Sequence, residues 1–277
     1  MNAAIDPHPY VLLTGTFAAI GAAISALEWL ANRRQLMDDG LYSWQVTGCR
    51  PIAVGSGPVP TILNRLLSFR WFQGILVLRL LALLWLPVLL WRGQGALVAL
   101  LIIVGTSLLV NLRSPFGMDG SDQMSMQVFG ALCLGFVSHS ALGLEVSLWY
   151  IAAQACLSYF TSGAAKAFSS HWRRGDVVFA IFNTRTYGFE PMARFLYPRP
   201  VANKMATYGA MAMECAFPLV LIVGWPAALL FIAWGVLFHL MNALVMGLNS
   251  FFWSFLSTYP AVVYTSLVVG SLLHARL

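Results

Sequence analysis

Residues 71–90 read WFQGILVLRLLALLWLPVLL, twenty positions with one charge, Arg79, near the middle. A helix of that length spans the roughly 30 Å hydrocarbon core of a bilayer. No helical face in the run is polar, so it has no side to turn toward water. Working outward, comparable apolar segments lie at about 10–30, 96–112, 124–141, 145–164, 206–223, 226–247 and 251–273. Of the 277 residues 59% are hydrophobic and only 9% charged, whereas soluble domains carry about 25% charged residues. Strand-like alternation is missing, which argues against a β-barrel. The expected fold is an all-α, polytopic transmembrane helical bundle of about eight spans. It is expected to form one domain over residues 1–277 with no separate soluble part.

Sixteen Lys and Arg stand against ten Asp and Glu, a net charge of +6. Basic and aromatic residues do not interleave as in single-strand binders, so no nucleic-acid partner is expected. The excess instead marks loops and lipid head groups. Two polar stretches, 31–70 and 165–205, hold twelve of the basic residues. With eight spans they fall on one side, which the positive-inside rule makes cytoplasmic. Val59–Arg70 reads as an amphipathic surface helix, and Arg194–Pro200 as a proline-broken, irregular stretch. The N-terminus lacks a basic residue before its apolar run, so Tyr10–Leu30 reads as a retained span and not a cleaved leader. Cys49, Cys133, Cys156 and Cys215 form no C-x-x-C pair, and neither a disulfide framework nor a metal is expected.

Charges and polar groups inside apolar runs need a reason. Arg79 reads as a snorkelling or paired arginine. Glu214, two turns inside its run, reads as a partner for Arg79, a backbone cap or a functional carboxylate, and Glu28 can reach the interface. His239, Asn242, Met246 and Asn249 recur at helical spacing on one face, which must look into the bundle. Lys166 ends an apolar run and shares a face with Tyr159 and with Ser162 or Gly163. It reads either as a head-group lysine at a helix end or as an amine desolvated enough to act as a base.

Two passages carry a resemblance. YFTSGAAKAFSSHWRRG (159–175) resembles the Y-F-x-x-G-x-x-K…W-x-x-G motif of vitamin K-dependent γ-carboxylase and its small bacterial relatives, the HTTM (horizontally transferred transmembrane) family. FHLMNALVMGLNSFFWSFLSTYP (238–260) is similar to the passage of the same family that begins F-H-x-M-N. The resemblance extends over about residues 97–260. It implies that Lys166 is the base that deprotonates a vitamin K hydroquinone or menaquinol-like quinol, which then reacts with O2. It also implies that His239 and Asn242 line the same cavity, with Tyr159 and Trp172 contacting substrate. Asp122 and Gln123 stand where the carboxylase has a histidine serving carboxylation, and the chain ends at Leu277 without a large extramembrane domain. Quinol oxygenation is therefore expected, and carboxylation of protein Glu is not. The site expected is Lys166, His239 and Asp122 as catalytic groups, with Asn242, Gln123, Tyr159 and Trp172 binding substrate. Glu214 and Arg79 support it, and no metal takes part.

The expected setting is a multi-pass protein of the bacterial inner membrane, in contact with lipids, a lipid-soluble quinol and a small exported peptide. The family's chemistry faces the outside, opposite to the side that the charge count assigns to the loop after Lys166. Two further functions stay open: maturation of an exported peptide, and a channel, transporter or membrane subunit with Glu214, Arg79 and Asp122 as a polar path.

Overall fold

The structure, a computed structural model, describes residues 5–55, 57–114 and 117–274. Among them are helices and no strands: α1 (His8–Ala31), α2 (Trp44–Thr47), α3 (Pro58–Leu66), α4 (Phe69–Arg92), α5 (Ala96–Arg113), α6 (Gly120–Val137), α7 (Ala141–Phe168), α8 (Ser170–Arg174), α9 (Val177–Phe182), α10 (Glu190–Leu196), α11 (Pro200–Ala216), α12 (Ala228–Met246), α13 (Asn249–Leu256) and α14 (Tyr259–His274). The protein is an all-α polytopic helical bundle. Among the described residues six stretches are long and apolar enough to cross a membrane: α1, α4, α5, α7, α12 and the α13–α14 stretch Asn249–Leu273. The other two expected spans are helical but fall short. α6 carries Asp122, Gln123 and Gln127 in its first turns, and α11 has 17 residues with Asn203 and Lys204 near its start.

Along α4, Phe72, Leu76, Leu83 and Leu86 are buried while Leu78, Leu81, Leu84 and Trp85 are exposed. Both faces are apolar, so the outer one is suited to lipid. Two compact units divide the chain, one over His8–Ser147 and the other from Leu148 onward, with α7 contributing to each. In the first unit α1 packs on α4, α4 on α5, α5 on α6 and α6 back on α1, closing a four-helix ring.

Within that unit the stretch between α1 and α4 is tied down by Arg113, the last residue of α5. Its guanidinium is fully buried and lies 4.7 Å from the Phe72 ring. It donates to the Leu36 carbonyl at 2.6 Å and to the Leu67 carbonyl. Both leucines are sealed from solvent. Arg113→Met should therefore lower the thermal stability of the detergent-solubilised protein, by about 1–3 kcal/mol for each carbonyl left without a donor. An unchanged melting temperature would contradict this account.

The predicted surface helix is present as α3, none of whose residues is buried; its expected last residues, Phe69 and Arg70, belong instead to α4. Residues 194–200 are irregular only in their middle: 197–199 form a turn, with Pro198 at the break between two helices. Arg194–Leu196 end α10, and Pro200 opens α11. Proline is compatible with a first helical turn, where its missing N–H has no partner to lose.

In the second unit α12 stops at Met246 because Gly247 takes a left-handed conformation (φ 72°) and its N–H caps α12. Residues with a Cβ adopt that conformation at a cost. The turn ends the expected His239–Asn249 face early, since Asn249 opens a separate helix, α13.

Candidate functional site

Helix α7 brings Tyr159, Ser162, Gly163 and Lys166 to one side, and α11 lies against that side through Glu214 and Cys215. Gly163 makes the approach possible. A Cβ there would stand 2.6 Å from the Cys215 nitrogen and 2.9 Å from the Glu214 Cβ. Small residues at helix crossings serve this purpose in membranes. One turn on, the Lys166 amine donates to both carboxylate oxygens of Glu214 at 2.5 Å and to the Ser162 hydroxyl at 2.9 Å. The Glu214 side chain is 3% exposed and that of Lys166 19%. The Trp172 ring lies 5.1 Å from the Lys166 amine. Glu214 is thus the partner of Lys166 and not of Arg79.

Next to this pair lies a cleft of about 540 Å³. Lys166, Trp172, Trp234, Phe238, Asn242 and Met246 are among its walls. Ligand pockets of this size are lined mainly by apolar groups with a few polar ones that set orientation. Here the polar groups named are the Lys166 amine and the Asn242 amide.

His239 lies behind the cleft wall and is 5% exposed. Its ring stacks on Phe255 (centroids 4.2 Å, planes 17°) and lies 5.7 Å from Tyr159. Neither ring nitrogen has a hydrogen-bond partner among the described residues. Buried polar groups are normally paired, so His239 is an orphan in an aromatic box. His239→Phe should leave thermal stability unchanged or raised, because no bond is lost and stacking is kept. A melting temperature well below wild type would show that the imidazole holds the fold.

Tyr159 stacks on Phe217 at 3.9 Å and shares a 2.7 Å hydrogen bond with the Tyr259 hydroxyl. Ser162 and Tyr259 complete the cluster. The signals for them were faint: Ser162 stood at i−4 from Lys166, and Tyr259 was a tyrosine in an apolar run, which when buried needs a partner for its hydroxyl.

No family model, curated protein or solved structure matches this chain.

The remaining expected residues lie in the first unit. Arg79 is buried and donates to the Ile103 carbonyl at 3.1 Å, the Thr106 hydroxyl at 3.4 Å and the Ser107 hydroxyl. Asp122 is exposed in the first turn of α6, which Asp119 caps by accepting from the N–H groups of Ser121 and Asp122. Gln123 is exposed beside it and donates to the Met118 carbonyl at 3.4 Å.

Proposed function

We propose that the second unit deprotonates a lipid-soluble quinol bound in the apolar cleft, in a bacterial inner membrane. The observation that carries this reading is a lysine amine bonded to a buried carboxylate while facing a largely apolar cleft. The substrate class comes from the resemblance of 159–175 and 238–260 to the carboxylase family. Its fit is supported by the cleft's aromatic walls, which suit a flat ring, and by the Asn242 amide, which can hold a ring oxygen.

At rest Lys166 and Glu214 share one acidic proton and carry no net charge. Accepting a second proton from the substrate hydroxyl gives an ammonium beside a neutral carboxyl group. The added positive charge balances the quinolate, so charge neutrality in the low-dielectric cleft is kept through the transfer. Glu214 acts as the reservoir: it takes the proton already on Lys166, freeing the amine for the one that arrives. Trp172 holds the ammonium by its ring face. A reduced naphthoquinone supplies the acidic hydroxyl and, once deprotonated, the electrons that reduce O2, the products being quinone epoxide and water.

The test uses the full chain in lipid nanodiscs with reduced naphthoquinone and O2, and epoxide is measured by chromatography. Formation well above protein-free nanodiscs is expected. Epoxide at the background rate would overturn the reading.

A further inference from the structure

The first unit holds a second cavity that the chemistry at Lys166 does not use. It measures about 90 Å³ and lies within the ring of α1, α4, α5 and α6. Ser25 of α1, Arg79 of α4, Ser107 and Asn111 of α5, and Asp122 and Ser125 of α6 are in its wall. The lining residues come from the last turns of α1 and α5, the first half of α4 and the first turns of α6.

Inside a bundle of this kind such a lining needs a reason. Arg79 is 9% exposed. Every hydrogen bond it makes among the described residues runs from one terminal nitrogen, Nη1, to neutral acceptors. Its Nε and Nη2 are left without a protein acceptor there. A guanidinium presents its donors as a planar fork that matches a carboxylate. No carboxylate lies within ion-pair distance of Arg79 among the described residues. Asp122 lines the same cavity at its exposed rim, where its carboxylate also accepts from the Asp119 backbone N–H.

The cavity therefore has a positive group in its floor and a negative one at its mouth. A bare anion gains at Arg79 but must pass Asp122, and a bare cation meets the opposite problem. A molecule carrying both charges satisfies both groups and brings no net charge into a region of low dielectric. At about 90 Å³ the space is several times the roughly 10–15 Å³ that a single water needs, so it has room for more than one water-sized group. We infer that this cavity is a binding site for a small zwitterionic α-amino acid of the size of alanine or serine, its carboxylate on Arg79 and its ammonium toward Asp122. The serine hydroxyls and the Asn111 amide supply further donors and acceptors.

The experiment is equilibrium binding of radiolabelled L-alanine to the full chain in nanodiscs. Competitors are L-serine, propionate (no ammonium), alaninamide (no carboxylate) and phenylalanine (too large). Saturable binding displaced by serine but not by the other three is expected. Asp122→Asn should weaken alanine by about tenfold or more and let propionate compete. Arg79→Lys keeps the charge without the fork and should also weaken alanine by about tenfold; gel filtration verifies that each variant is folded. Should one variant fail to fold, the other decides the matter. The proposal is overturned by no saturable alanine binding, by propionate or alaninamide displacing alanine as well as serine does, or by a folded variant binding alanine like the wild type. None of these outcomes depends on whether the protein forms epoxide.

Discussion

Lys166→Ala is expected to reduce epoxide formation by a factor on the order of 10²–10⁴, the usual contribution of a positioned general base. It should also destabilise the protein, because Glu214 is left with its carboxylate 3% exposed and its cationic partner gone. Removing one member of a buried pair costs about 3–5 kcal/mol when the survivor stays charged. Here Glu214 can take up a proton, so the loss should lie at or below the low end of that range. Activity and stability are separable with the double variant Lys166→Met/Glu214→Leu. Replacing both charges by apolar groups of similar volume often restores or raises stability. The double variant should therefore melt near the wild type and still make no epoxide above background. Wild-type turnover by Lys166→Ala would sink the assignment of the base, whatever its melting temperature.

Gly163→Ala should have an effect out of proportion to one methyl group. The added carbon would stand 2.6 Å from the Cys215 nitrogen, 2.8 Å from its sulfur and 2.9 Å from the Glu214 Cβ. Backbone cannot step aside as a flexible side-chain tip can, so α7 and α11 must part at that turn. Overpacking of this kind costs about 1–3 kcal/mol. The displaced turn carries Lys166 and Glu214, and their 2.5 Å contacts would open with it. Loss of most epoxide formation together with a lower melting temperature is expected. Gly130→Ala in α6 is the control. Nothing lies within 4 Å of its added carbon, and helical Gly→Ala stabilises by up to about 1 kcal/mol. Equal behaviour of the two variants would refute the steric argument.

The helices were readable in the sequence because a run such as 71–90 has one physical solution: satisfy the backbone internally and turn apolar side chains outward. Pairing between helices was not. Lys166 and Glu214 are 48 positions apart, and periodicity within one helix says which residues share a face but not what that face meets. Pairing of Arg79 with Glu214 was one of three open readings of Glu214, because the two are opposite charges in apolar runs. The structure gives Arg79 neutral acceptors on α5 and gives Glu214 to Lys166. One local clue pointed the right way. Gly163 one turn before Lys166 is a small residue at a place where another helix backbone comes close. The irregular stretch expected at 194–200 shrinks to 197–199: Pro198 stands in the break, whereas Pro200 stands where a helix begins.

Arg113 has a consequence for how the protein is made. Its acceptors, the carbonyls of Leu36 and Leu67, leave the ribosome long before the guanidinium that binds them. During synthesis the stretch between α1 and α4 must keep those carbonyls hydrated until α5 has been completed. The arginine is then both the last residue of a hydrophobic helix and the latch of an earlier loop. The first unit is thus closed from its own C-terminal half backward, and α1 and α4 can enter the membrane before the segment joining them is locked.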